Sequence, residues 1–152
     1  LTQELDARDT PVVLVLFGDH KPWMGNGGSV YEEMGIDFDT STLAGFRNYY
    51  ATPYLIWANR AAKEVLGADF TGDSGDFSPC FLMTRLFDAC GWAGPGYMQL
   101  SRAMRDISPL LHTNGLFLHD GVLTSVLSDT DRSFYRSWLA VQYYREHVAA
   151  YS

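Results

Sequence analysis

The sequence predicts an α/β fold. Three observations carry that prediction. Residues 12–17 (Val-Val-Leu-Val-Leu-Phe) are six apolar residues in a row, three of them valine. Such a run marks a strand covered on both faces, as in a parallel sheet. A second run, Tyr54-Leu55-Ile56-Trp57-Ala58, is introduced by Thr52-Pro53 and stopped by Asn59. The remaining chain carries stretches of helical periodicity closed by glycines such as Gly67 and Gly91.

The elements follow in order. Residues 1–8 read as the last turns of a helix, with Leu1 and Leu5 on one face, broken at Asp9-Thr10-Pro11. The first strand ends at Gly18-Asp19-His20-Lys21-Pro22, and residues 23–29 read as loop. Tyr31 to Met34 suits a short helix ended by Gly35, and residues 40–49 suit another. Residues 60–66 are helix-compatible, and residues 69–76 form an acidic, glycine-rich loop. Ser78-Pro79 reads as a serine N-cap with proline at the first helical position. That helix carries Phe81, Leu82, Leu86, Phe87 and Cys90 and stops at Gly91. Residues 95–107 predict a further helix, and Asn114-Gly115 a turn. Residues 130–150 predict a last helix with Phe134, Trp138, Val141 and Val148 on one face. No repeat or low-complexity linker interrupts the 152 residues, so the sequence reads as one α/β unit.

With 47% hydrophobic and 14% aromatic residues, the chain has enough apolar surface for a core, which excludes disorder. Its formal charge is −7, from 11 basic and 18 acidic residues. That charge repels phosphate backbones, so no nucleic-acid partner is expected. Cys80 and Cys90 match no zinc spacing. On one helix they stand about 15 Å apart, too far for a disulfide, and read as two buried small hydrophobes. No signal peptide or membrane-spanning run stands in the sequence. It opens at Leu1 already in a helical pattern, which predicts a longer parent polypeptide.

The chemistry is expected where the first strand ends. In open α/β sheets, ligands bind beyond the carboxyl ends of strands. Asp19 and His20 stand there, and Gly18 permits the backbone turn that lets both address one ion. A carboxylate with an imidazole suits manganese or zinc rather than calcium. On spacing alone, a capping Asp in a turn remains the blander alternative.

Phe17-Gly18-Asp19-His20 after an apolar strand resembles the Gly-Asp-His signature of bacterial sulfatase-like phosphoglycerol transferases, the lipoteichoic acid synthase group. Residues 52–59 (Thr-Pro-Tyr-Leu-Ile-Trp-Ala-Asn) resemble the strand that follows in that family. Residues 78–91 are similar to its next helix, and residues 95–107, Asn114-Gly115 and 135–144 to the closing part of one subgroup. The resemblance covers nearly the whole chain, in order. It implies a fragment of an alkaline-phosphatase-like sheet flanked by helices: the C-terminal portion of a sulfatase-like catalytic domain. The upstream catalytic half and a membrane anchor would lie outside it. The implied parent is membrane-anchored with an extracellular catalytic domain, acting at the cell envelope.

The resemblance implies Asp19 and His20 as metal ligands, with Mn2+ or another divalent metal the cofactor of the parent. The implied substrate is a lipid- or polymer-linked phosphoglycerol or sulfate ester. In the transferases the nucleophile is a threonine; in true sulfatases it is a modified residue in Cys/Ser-x-Pro-x-Arg. Ser78-Pro79-Cys80 departs from that pattern, and the family's nucleophile and remaining ligands precede the matched segments. Two ligands hold a metal poorly. The chain by itself is therefore expected to be metal-free and catalytically inert, completed by the remainder of its own catalytic domain. The alternatives are a sulfuric ester hydrolase of arylsulfatase type and a non-catalytic binding module.

Lys21 and Trp23, just past the ligand pair, are candidate substrate-binding residues. The loop at 23–29 lacks the G-x-G-x-x-G and Walker patterns, so flexible loop is preferred over phosphate cradle. Asp69, Asp73 and Asp76 lack the EF-hand pattern and read as a solvated loop. His112 and His119 flank the Asn114-Gly115 turn and read as surface or packed histidines rather than a metal pair. His147 near a helix end is accounted for by the helix dipole. Tyr49, Tyr50, Tyr54 and Trp57 read as core packing in preference to a sugar-stacking platform.

Overall fold

The two apolar runs form strands where the sequence places them, but their pairing differs from the expectation. In the computed structural model, which describes residues 1–148, β1 (Val13–Phe17) pairs antiparallel with β2 (Tyr54–Ala58). The register runs from Val13 opposite Ala58 to Phe17 opposite Tyr54. A continuous apolar run reports coverage, not strand direction. Direction is set here by the connection, which returns the chain at Pro53 alongside Gly18. The Gly18 amide donates to the Pro53 carbonyl (2.9 Å), and at the other end the Asn59 amide donates to the Val12 carbonyl (3.0 Å). Nor is the ribbon covered on both faces among the described residues. Leu16 and Leu55, opposite one another, are 47% and 46% exposed.

The chain gathers into two compact units, Leu1–Gly72 and the part from Asp73 onward. Each is mixed α/β with a small antiparallel sheet.

In the first unit, α1 (Thr2–Asp6) precedes β1, α2 (Ser29–Glu33) and α3 (Leu43–Tyr50) fill the connection, and α4 (Arg60–Leu66) follows β2. Asn59 joins these pieces. It is fully buried. Its Oδ1 accepts from the Val12 and Ala62 amides, both at 2.9 Å. Its Nδ2 donates to the carbonyls of Leu5, Arg8 and Thr10. One side chain thus caps α4, closes α1 and starts β1. The sequence marked it only as a strand stop.

In the second unit, a 3-10 turn at Pro79–Phe81 runs into α5 (Leu82–Ala89), followed by α6 (Gly96–Ile107). A three-stranded antiparallel sheet follows, made of β3 (Leu111–His112), β4 (Leu116–His119) and β5 (Val122–Thr124). The chain then enters α7 (Asp129–His147). Phe81, Met104 and Trp138 form the core, and the Trp138 indole N–H donates to Ser101 Oγ at 3.0 Å. Asp88 ties α5 to α6, accepting from Arg102 Nε (2.6 Å) and Arg105 Nη2 (2.7 Å), with Arg85 Nη1 at 3.7 Å.

Several expectations are corrected here. Ser78 is the N-cap with Pro79 in the first turn, as expected, but its side chain makes no capping bond. Its hydroxyl donates to the Leu111 carbonyl (3.0 Å) and accepts the Leu111 amide (2.8 Å), pinning β3 instead. Cys90 is buried but Cys80 is exposed; both are free. Val141 and Val148 of the last helix are exposed, so its buried face is set by Phe134 and Trp138. Positions 149–150 of that expected helix lie outside the described residues. Beside the Asn114-Gly115 turn, β3, β4 and β5 were not foreseen.

Candidate functional site

The site grows from the end of β1. A Cβ on Gly18 would stand 2.9 Å from Thr52 Cβ. Glycine therefore lets the two chain segments touch, and Thr52 Oγ1 donates to the Gly18 carbonyl at 2.7 Å. This contact fixes where Asp19 and His20 leave the ribbon. Both reach solvent, their side chains 93% and 81% exposed. His20 Nε2 lies 3.9 Å from Asp19 Oδ2. Two donors each about 2.1 Å from one ion can span that separation. His20 Nδ1–H donates to the Lys21 carbonyl at 3.0 Å. A carbonyl only accepts, so that bond places a proton on Nδ1 and leaves Nε2 as the ring atom facing Asp19 Oδ2; metal-binding histidines use their second nitrogen in this way.

Chemically, Asp19 and His20 offer two groups of the kinds that divalent ions take as ligands. Among the described residues, no group of three or more His, Cys, Asp or Glu side chains could hold a metal. Three or four ligands are the norm.

Beside the pair lies a cleft of about 290 Å³. Asp19, His20 and Lys21 line it together with five aromatic rings. Lys21 is half-buried and its ammonium donates to the Asn48 carbonyl in α3. Trp23 is 60% exposed and meets Tyr49 edge-on, with centroids 6.1 Å apart and planes at 72°. Tyr49 in turn meets Phe38 at 5.5 Å. Tyr31 is anchored by its hydroxyl, which donates to the Pro22 carbonyl at 2.5 Å. A larger, open depression of about 530 Å³ follows the first turns of α7, lined by Asp129, Thr130, Ser133, Phe134 and Ser137. It brings no Asp–His pair together, so the cleft at the end of β1 is the candidate site.

All four residues picked from the sequence, Asp19, His20, Lys21 and Trp23, line this one cleft. Tyr31 and Phe38 were missed, and Tyr49 and Tyr50 were read as core. Both of those tyrosines are exposed and line the cleft, while Tyr54 and Trp57 are half-buried in β2. The signal available was the density of aromatics following Asp19 and His20. The loop after Trp23 winds into a 3-10 turn at Asn26–Gly28 and contributes nothing further to the cleft.

The remaining candidates resolve locally. Asp69 and Asp73 accept from the amides of Thr71 (3.3 Å) and Gly75 (2.8 Å), as turn-forming aspartates do. His112 pairs with Leu116 in the strand register, not with His119. The His119 imidazole donates to the Ile107 carbonyl at 3.0 Å. That bond holds its pKa above the usual value, against some desolvation and with help from Asp120 and Asp131. His147 stacks on Tyr143 in the last turn of α7.

No family model, curated protein or solved structure matches this chain. The reading of its function therefore rests on the residues themselves.

Proposed function

We propose that this chain is part of a metal-dependent enzyme of the sulfatase and lipoteichoic acid synthase type. It would be the C-terminal portion of an alkaline-phosphatase-like catalytic domain that transfers phosphoglycerol to a cell-envelope polymer. The observation that carries the reading is the Asp19–His20 pair, with His20 Nδ1 held by the Lys21 carbonyl and Nε2 left toward Asp19 Oδ2. Two further features support it. The segments that resemble family motifs meet in space, through Gly18 against Thr52 and Asn59 against Val12. The ribbon also keeps apolar residues on an exposed face, as a sheet covered by a further layer would.

Each residue has a proposed task. Asp19 supplies an anionic oxygen and His20 a neutral nitrogen, and Mn2+ suits this mixed set. When bound, the ion would lower the pKa of the nucleophile and neutralise charge gathering on the transferring phosphoryl group. Lys21, tethered through Asn48, would place a positive charge beside the anionic ester, and Trp23 would border the substrate. The nucleophile and remaining ligands would come from the rest of the same catalytic domain, in a parent anchored in the membrane with its catalytic part outside the cell. Among the described residues no helix is long and apolar enough to cross a membrane.

In the longer protein, Asp19→Ala is expected to reduce phosphoglycerol transfer by more than 100-fold while leaving the circular dichroism spectrum unchanged. Full transfer activity in that variant sinks the metal assignment. Hydrolysis of an aryl sulfate without transfer would favour the sulfuric ester hydrolase. A wild-type longer protein inactive in both assays, with any divalent metal, would favour the non-catalytic binding module.

A further inference from the structure

Phosphoglycerol alone does not account for the cleft. It is small, acyclic and hydrophilic, and it has no apolar face to lay against a ring. The cleft wall is nevertheless mostly aromatic. Trp23, Phe38, Tyr49 and Tyr50 line it, and Trp23 keeps 60% of its surface open to solvent. Leaving an indole this exposed forgoes apolar burial, and a bound ligand would recover it.

We infer that the aromatic half of this cleft is a glycosyl subsite, in which a pyranose ring of the envelope polymer stacks on Trp23. A pyranose has a face of C–H groups that packs on an aromatic ring and an edge of hydroxyls that needs polar partners. The cleft supplies both. Trp23 with Tyr49 edge-on beside it forms the apolar platform. Lys21 has three N–H donors and spends one on the Asn48 carbonyl, leaving donors for ring hydroxyls. The volume of about 290 Å³ stands at the small end of ligand sites and suits one sugar unit rather than a long chain. An aryl group or acyl tail would call for an enclosed apolar slot, whereas this cleft combines charged groups with an exposed indole. The subsite stacks by ring shape, so it tolerates different hexoses. It deepens the proposed function by naming the polymer as one built with sugar rings, and it rests on that reading only for where the ester is placed.

The test uses the 152-residue chain and nuclear magnetic resonance of its tryptophan indole N–H groups. Gentiobiose, maltose and chitobiose are titrated separately to 20 mM, with sn-glycerol 1-phosphate, 4-nitrophenyl sulfate and octyl phosphocholine below its micelle concentration as comparators. At least one disaccharide is expected to shift the Trp23 indole signal saturably, with at least fivefold higher affinity than any comparator. Trp23→Ala should weaken that disaccharide at least tenfold, as read on the Tyr49 resonances, and Trp23→Phe should recover part of the loss. Because Trp23 is exposed, neither variant should unfold, and the indole signal of buried Trp138 reports this. If no disaccharide shifts the signal, or a comparator binds more tightly than all three, the glycosyl subsite is wrong. The metal reading is tested apart from this, by the Mn2+ dependence of phosphoglycerol transfer in the proposed longer protein. Transfer that needs no divalent metal, with the saccharide shift intact, removes the metal reading and leaves the subsite standing.

Discussion

Asn59 carries more of the first unit than any charged residue in it. Its amide satisfies two backbone donors and three backbone acceptors at the junction of α1, β1 and α4. Removing it leaves those groups without partners in a place closed to solvent, and each buried unsatisfied group is costly. Asn59→Ala is therefore expected to destabilise the chain by about 3 kcal/mol in urea unfolding followed by circular dichroism. Asn59→Asp should be nearly as damaging, because a carboxylate cannot donate to the three carbonyls. A loss below about 0.5 kcal/mol for Asn59→Ala would mean that the junction is held by something else. Gly18 acts at the same scale by a different means. Its missing Cβ admits Thr52, so Gly18→Ala should push the segments apart and move Asp19 and His20 together. In the proposed longer protein, a loss of activity greater than the accompanying loss of stability explains would register that shift.

The element scale shows what could be read in advance and what could not. Helices α4, α5 and α6 were legible because each combines apolar periodicity with a stop or start signal: Gly67, Gly91 and Pro95. Strands β1 and β2 were legible as strands because both are β-branched or aromatic runs. Their pairing was not, since strand direction depends on where the connection returns the chain. The short strands β3, β4 and β5 escaped because two to four residues give too little alternation. Ser78 was legible as the N-cap before Pro79, but its bonding was not, since tertiary contact with Leu111 claimed its hydroxyl. At the site, Asp19 and His20 were legible from their place after a buried-type run, whereas the aromatic wall needed α2 and α3 to fold against it. The join between α5 and α6 gives a prediction at this scale. Partial burial opposes ionisation of Asp88, but the hydrogen bonds and charges of Arg105 and Arg102 outweigh it. Its pKa lies below the ordinary 3.8. A carboxylate depressed in the folded state stabilises fully above its unfolded pKa and loses that contribution as pH falls through the folded value. Stability should thus decline as pH drops below about 4, and Asp88→Asn should flatten part of that decline. At pH 7 the same variant should cost about 2 kcal/mol, because the arginines lose their partner in a site only partly screened by water. An unchanged acid profile in Asp88→Asn would show that other carboxylates govern it.

For the whole molecule, the apolar face of the β1–β2 ribbon bears on the proposed function. Leu16 and Leu55 stand opposite each other, each about half exposed, next to the strand end that carries Asp19 and His20. In the chain alone, a polar replacement there removes little buried area, so Leu16→Thr is expected to change its stability by no more than about 0.5 kcal/mol. If the ribbon is the edge of a larger catalytic sheet, the same residues are covered in the longer protein. There Leu16→Thr should cost about 2 kcal/mol or more, the scale of removing a buried leucine's apolar contacts, and should lower the yield of folded enzyme. Equal, small effects in both contexts would mean that the ribbon faces water in the parent as well. The Asp19–His20 pair would then have no sheet beside it to bring further ligands within reach. A larger loss in the longer protein would instead tie the two scales together. The side chains that look misplaced on the ribbon's surface would be the ones that hold the ligand pair against the rest of the active site.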